Sequence, residues 1–354
     1  MLKPLPHAGS SEPFDDSRTE DTKFSPSGRI LAQVATSGSV FLFAVDTDSS
    51  PVRTTRCAEL RSSGLASPHG VDFVRENVIV VANRSGCVTF LRLPDVWKDR
   101  VRVDPIHEMH SDWFGRTGST RSVEGRAVAC GPGSIRASGD HLFVCCNYRN
   151  TVTAHPYRIR RDAIETGEGV LVAQTGLQIP DGVALTRGGR WMAVSDHHNR
   201  RVAIYRRTDG ARTCELRDPD LHYPHGLCFD PSGQSLYVAD AGGRDLHVFV
   251  GASGWDSSVA RSAFKLPAVD AEAFRKTRAA TPEAYRKLEG GIKGIDLDPS
   301  GRIIATTCRH QILRFFETEH ANTGATAAEP ACPTSCGGPA ERRPDDGATR
   351  PLPA

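Results

Sequence analysis

Five residues in short turns carry side chains suited to metal or acid–base chemistry: Glu20, His69, Asp181, His225 and Lys293. Three stand in a Pro-x-Gly frame, as Pro68-His69-Gly70, Pro180-Asp181-Gly182 and Pro224-His225-Gly226, and Lys293 stands in Ile292-Lys293-Gly294. Glu20 opens Glu20-Asp21-Thr22-Lys23-Phe24, the least regular copy, and Gly133 fills the matching place in Pro132-Gly133-Ser134. If the frame repeats in space, these side chains form one layer. Carboxylate oxygen favours calcium, magnesium or manganese, whereas imidazole moves the preference toward zinc, iron or nickel. A layer of Glu20, His69, Asp181 and His225 could hold such a divalent metal ion with a position open to water or substrate. His69 or His225 could also act as general base, and Lys293 could orient a carboxylate or stabilise an oxyanion. The competing reading is that short polar residues at turn starts hydrogen-bond their own backbone, with only ordered water between them.

A second set follows the apolar runs. Asn83, Asn147, Asp196 and Asp240 end those runs and read as caps of tight turns. Just beyond them, Arg84, Tyr148, Arg149, His197 and His198, with Arg309 and His310 near the end of the chain, would line the same mouth. That Arg and His content suits substrate binding to an anionic or carboxylate-bearing small molecule, or else a solvated rim. His107-Glu108-Met109-His110 is not a zincin motif, because its histidines lie three apart beside Pro105 rather than four apart on one helical face; it reads better as part of a lid. No P-loop, dinucleotide fingerprint or nucleophile elbow is present.

The elements that must position these residues are strands. After each turn comes a short apolar run, then a second such as Val78-Ile79-Val80-Val81-Ala82-Asn83 or Leu236-Tyr237-Val238-Ala239-Asp240, then an alternating third such as Cys87-Val88-Thr89-Phe90-Leu91-Arg92. Runs of this length, rich in Val, Ile, Phe and Tyr and bounded by Gly, Pro, Asn and Asp, are strands. Six copies of three or four antiparallel strands predict an all-β, six-bladed β-propeller over residues 17–318, in which the x residues face one mouth of the central channel.

Two spacings are longer than the ~45-residue blade period by roughly twenty residues. They predict insertions over about 96–128 and 252–290, the second of helical composition, both on the channel face. Residues 1–16 read as an N-terminal extension poorly suited to closing the ring, and 319–354 as a disordered tail rich in Ala, Pro, Gly, Thr and Arg. The net charge of +2 gives no global field for nucleic acid, and no apolar stretch predicts a signal peptide or membrane span, so a cytoplasmic protein is expected. Ten cysteines, most within or beside apolar runs, read as buried thiols, and Cys332 and Cys336 lack the second pair a zinc site needs.

Tyr223-Pro224-His225-Gly226-Leu227-Cys228-Phe229-Asp230-Pro231-Ser232-Gly233, followed by Leu236-Tyr237-Val238-Ala239-Asp240, resembles the NHL repeat. Pro180-Asp181-Gly182-Val183-Ala184-Leu185 resembles the matching turn of the SMP-30, gluconolactonase and strictosidine-synthase-like propellers. The resemblance covers about residues 20–318 and is mostly scaffold. It implies that Glu20 and Asp181 match metal ligands of the SMP-30-like lactonases, whereas His225 stands where an Asp is usual. Pro132-Gly133-Ser134 replaces the Asn-Asp that contacts sugar lactones. The Pro-His turns at 69 and 225 look instead like those that bind zinc in peptidyl-amidoglycolate lyases, which use a third histidine not apparent here. The expected activity is metal-dependent hydrolysis of a lactone or related ester, or an allied lyase step. The alternatives are a non-catalytic propeller holding a protein or carbohydrate partner and a metal-free cyclase resembling strictosidine synthase.

Overall fold

The first apolar run of each repeat forms an inner strand: Thr19–Phe24, Pro68–Arg75, Pro132–Ser138, Pro180–Leu185, Pro224–Phe229 and Gly294–Leu297. The computed structural model describes residues 2–9, 18–85, 87–109, 131–161, 163–252, 254–256, 259–281 and 289–318. Among these stand six sheets, each with its inner strand followed outward by the next strands of the same repeat in antiparallel register. The inner strands touch one another in chain order and the last touches the first, so the sheets are the blades of a closed β-propeller. We number the blades 1 to 6 along the chain and call the end where inner strands begin the upper end.

Each blade is apolar on both faces because each face meets a neighbour. Six buried apolar clusters result, one in each gap between adjacent blades. The gap between blades 6 and 1, for example, packs Phe41, Phe43 and Phe315 with almost no exposure. Full burial of such a side chain is worth about 1.5–3 kcal/mol, so the gaps rather than the axis hold the ring together. Cys87, Cys145, Cys146, Cys214, Cys228 and Cys308 are free thiols, all but Cys87 buried.

The N-terminal segment and the insertions depart from the sequence expectation. Lys3–Leu5 pairs antiparallel with Phe315–Glu317 and supplies the fourth strand of blade 6. His7–Gly9 then pairs in parallel with Val52–Thr54 of blade 1, so the N-terminus is the clasp of the ring rather than an extension to it. Four short strands of the insertions lie at outer edges instead of the channel face, because an edge strand offers unpaired backbone groups. Pro105–Met109 is the fourth strand of blade 2, with His107 Nε2 2.7 Å from Thr166 Oγ1 of blade 3, so no lid is formed there. Arg100–Arg102 extends blade 1 in parallel, and Val259–Ala260 extends blade 4 in the same way. Phe264–Pro267 is the fourth strand of blade 5.

Only the helix α1, Ala271–Ala280, follows the expectation of a helical piece near the mouth. Asp270 caps it, its side chain accepting from the Ala273 N–H at 2.7 Å. Its Thr277 hydroxyl meets the Cys308 thiol at the upper end of blade 6. No described helix is long and apolar enough to cross a membrane. The remainder of the first insertion, residues 110–128, and the tail 319–354 lie outside the described residues.

Candidate functional site

The x residues face the axis because the inner strands bulge there. The ladder to the second strand skips one inner-strand residue between Thr19 and Asp21, Pro68 and Gly70, Pro132 and Ser134, and Pro180 and Gly182, and two opposite one between Pro224 and Leu227. A bulge breaks the alternation and re-aims one side chain, here Glu20, His69, Asp181 or His225, into the upper channel. The following glycine lets adjacent inner strands close on the axis. A β-carbon on Gly182 would lie 1.9 Å from the His225 carbonyl oxygen, and one on Gly226 would lie 2.5 Å from that of Lys293.

Glu20, His69 and His225 each point one ligand atom inward, and these atoms lie within 4.8 Å of one another. Glu20 Oε2 is 3.2 Å from His69 Nε2, 3.7 Å from His225 Nε2 and 2.8 Å from Lys293 Nζ. The two imidazole rings lie 5.1 Å apart, centre to centre. His69 Nδ1 is 2.5 Å from the Gly133 carbonyl oxygen. A carbonyl can only accept, so Nδ1 carries a proton and Nε2 of a neutral ring is left as a lone pair facing a carboxylate. Neither Nε2 has a hydrogen bond among the described residues. Two acceptors facing each other need a proton or a cation between them, and a backbone-tied Nδ1 is how a protein orients a ligating histidine.

Asp181 stands outside this triad. Its Oδ1 accepts from Asn147 Nδ2 at 2.5 Å and from Arg84 Nη2 at 3.2 Å, while Oδ2 lies 3.7 Å from His225 Nε2 and 3.6 Å from His197 Nδ1. Lys293 bridges Glu20 and Glu289, its Nζ 2.9 Å from Glu289 Oε2. Arg18 does the same from the other side, at 2.6 Å from Glu20 and 2.7 Å from Glu289. His197 is buried, stacks on Tyr223 at 4.9 Å and approaches Glu289 Oε1 to 3.8 Å. Of the other rim residues, His198 is exposed and packs edge-on against His197, and Tyr148 is exposed. Arg149 and His310 are half-buried. Arg309 turns aside to donate to the Ala280 carbonyl at the end of α1.

Burial sets the protonation of the site. It pushes the Glu20 carboxyl upward, but Arg18, His69 and His225 outweigh it and hold the pKa at about 2. Asp181 is likewise raised by burial, yet His225 and Arg84 hold it well below the carboxylate range. Burial brings His225 down to about 3 against the pull of Asp181, and also lowers His197. Glu289 goes the other way: burial, only partly offset by Arg18, lifts it to about 7. The His225 imidazole is therefore available as a neutral ligand, and one carboxyl, Glu289, can change its proton near neutrality.

Three participants were not among the sequence candidates: Asn147, Arg18 and Glu289. Asn83, Asp196 and Asp240 do cap turns, as when Asp240 accepts from the Tyr223 N–H at 2.7 Å. Asn147 instead enters the axial layer, in the space that blade 3 leaves empty. A β-carbon on Gly133 would fall 1.6 Å from Asn147 Oδ1, so the glycine that interrupts the column is the signal for it. Glu289 comes from the irregular chain before Lys293, where no sequence signal marks it. Below the layer, a cavity of about 10 Å³ lined by Asp21, Lys23, Asp181, His69 and His225 has room for about one water.

No protein-family model and no curated protein matches this sequence. Solved structures do match in fold. A "putative 6-phosphogluconolactonase" from Bacteroides fragilis is 15% identical with a TM-score of 0.55, over 85% of this chain and 80% of that one. The WD40 β-propeller domain of Doa1 is 10% identical with a TM-score of 0.54, over 90% of this chain and 98% of that one. A chain of the Mitotic Checkpoint Complex is 15% identical with a TM-score of 0.52, over 87% and 76%. At these identities the likeness is to the propeller fold.

Proposed function

We propose that the upper channel binds one divalent cation on Glu20, His69 and His225 and hydrolyses a small anionic lactone or ester. The observation that carries this is the convergence of three ligand atoms within 4.8 Å with neither imidazole Nε2 hydrogen-bonded. Two imidazoles and a carboxylate form a donor set that zinc hydrolases use, so zinc is the ion we put to the test. When bound, the ion would polarise the substrate carbonyl and lower the pKa of its water.

The chain's own residues supply the rest. Glu289, with its pKa near 7, takes a proton from the attacking water and returns it to the leaving oxygen. Lys293 and Arg18 hold Glu289 in place, and Arg84, kept on Asp181, presents a guanidinium edge to the anionic group of the substrate. Asp181 orients Arg84 and His225 rather than ligating. The lactonase description of the Bacteroides fragilis chain accords with this reading, and so does the SMP-30-like turn at Asp181, although that family's ligand use differs at His225.

Metal content tests the proposal. Purified protein reconstituted with zinc should hold about one equivalent, and His69→Ala and His225→Ala should each hold less than about a tenth. Turnover of a panel of lactones and carboxylate-bearing esters should disappear with chelation. Less than about a tenth of an equivalent in reconstituted wild type overturns it. Activity that survives chelation would instead favour a metal-free site in which Lys293, already paired with Glu20, is the resident cation.

A further inference from the structure

A second concavity lies away from the channel, between blades 3 and 4 near their lower ends. Its volume is about 350 Å³, at the small end of the range for clefts that enclose small molecules. Phe143 and Ala154 of blade 3 and Met192 and Tyr205 of blade 4 line it, each almost fully buried. One wall is Val170, Leu171 and Val172. That wall stands open because the outer edge of blade 3 is broken in two. Ala163–Thr166 pairs with Tyr157–Arg160, and Val170–Ala173 pairs separately with Val152–Ala154. The break leaves Val170 60% exposed at the lip of the cleft, an apolar side chain with no cover.

The charges at the rim are not balanced. Arg206 is held by Asp209 at 2.8 Å and Asp256 at 2.7 Å, and His141 by Asp140 at 2.6 Å. Arg207 has no such partner: among the described residues no carboxylate lies within ion-pair distance of it. Its guanidinium carbon sits 4.8 Å from the centre of the Phe143 ring, and Nη1 donates to the Gly189 carbonyl at 3.1 Å. A guanidinium held over an aromatic ring at the edge of an apolar cleft keeps its remaining N–H groups for an outside acceptor.

We propose that this cleft is a ligand site for a small carboxylate carrying a compact aromatic or branched aliphatic group, with Arg207 reading the carboxylate and the cleft enclosing the apolar part. The site is independent of the channel, since it opens where the second strands of blades 3 and 4 begin, at the opposite end from Glu20 and His69.

Phenylacetate, phenethylamine and benzyl alcohol, which share a ring and differ in charge, test this by ligand-observed NMR with the full chain. Phenylacetate should bind at least about tenfold more tightly than the other two. Arg207→Gln, at an exposed position, should leave the melting temperature unchanged and erase that preference. Ala154→Leu should fill the cleft and weaken all three probes; if that variant fails to fold, Val172→Trp at the wall replaces it. His69→Ala should leave phenylacetate binding intact. Equal affinity for the three probes, an Arg207→Gln variant that binds phenylacetate as well as wild type, or loss of binding in His69→Ala would each overturn the assignment.

Discussion

Glu289 illustrates how a single buried carboxyl can shape the pH response of the whole site. Its folded pKa of about 7 lies above the ordinary 4.5, because burial opposes ionisation more than Arg18 favours it. The folded state therefore prefers the protonated acid, and the Glu289 contribution to stability falls as pH rises from about 4.5 to about 7. His197 and His225 have the opposite sign. Burial lowers both below 6.5, so the unfolded chain takes up protons that the fold refuses, and their contribution falls as pH drops below about 6.5. Between about 4.5 and 6.5 the two effects oppose each other. Glu289→Gln removes one and leaves the other, so in chelator-treated protein its stability should climb with pH more steeply than wild type, by up to about 1.4 kcal/mol per pH unit. Urea unfolding at several pH values across that window measures the difference, and parallel curves would contradict it. The contrast between Glu289 and His69 also marks how much of the site the sequence discloses. His69, His225 and Lys293 share a position in a repeated turn, so one copy predicts the others. Arg18, Asn147 and Glu289 reach the axis from non-repeating positions, and only an anomaly in the repeat, the bare Gly133, hints that another side chain occupies its space.

At the scale of elements, the second strands are legible because each is a six-residue, apolar-rich run between turn signals, and the inner strands because a Pro-x-Gly-like turn opens most of them. Residues 3–9 are not, because Lys3-Pro4-Leu5-Pro6-His7-Ala8-Gly9 shows neither alternation nor a long apolar run. The segment is extended because two open edges receive it, which is a property of the closed ring rather than of the heptapeptide. Leu5 packs into the gap between blades 6 and 1, and His7 lies 5.2 Å from the Phe315 ring with Nε2 2.6 Å from Thr54 Oγ1. A few edge hydrogen bonds at about 1 kcal/mol each and partial burial of Leu2 and Leu5 together amount to about 4 kcal/mol. Deleting residues 1–9 should therefore lower the melting temperature by about 6 °C. Amide exchange should show lost protection in the outer strands of blades 6 and 1, with blades 3 and 4 unaffected. An unchanged melting temperature would mean that the clasp contributes nothing to closure.

The whole molecule presents two differently charged layers on one axis, separated by the water-sized cavity. Below it, Lys23 Nζ is 2.7 Å from Asp21 and 3.1 Å from the Ile295 carbonyl, and Arg136 reaches Asp72 at 3.6 Å and Asp296 at 3.4 Å. These residues come from blades 1, 2, 3 and 6, so the lower layer ties the inner strands together as the upper one does. The two layers should be separable. Burial already raises the Asp72 carboxyl, with Arg136 holding it down and Asp296 pushing it further up. Arg136→Met removes the restraint and leaves two carboxylates facing each other. Their ionisation then costs folding energy, so the variant should lose more stability at pH 8 than at pH 5, where one proton can be shared. With the Arg136 side chain 31% exposed, the loss at pH 8 should be about 2 kcal/mol, below that of a fully buried broken pair. If the upper layer binds zinc as proposed, its stoichiometry at Glu20, His69 and His225 should not change, since the lower layer contributes no ligand. Urea unfolding at the two pH values with metal analysis on the same samples separates the effects: loss of zinc from Arg136→Met would show that the layers are one cooperative unit, and equal destabilisation at both pH values would remove Asp72 and Asp296 as its cause.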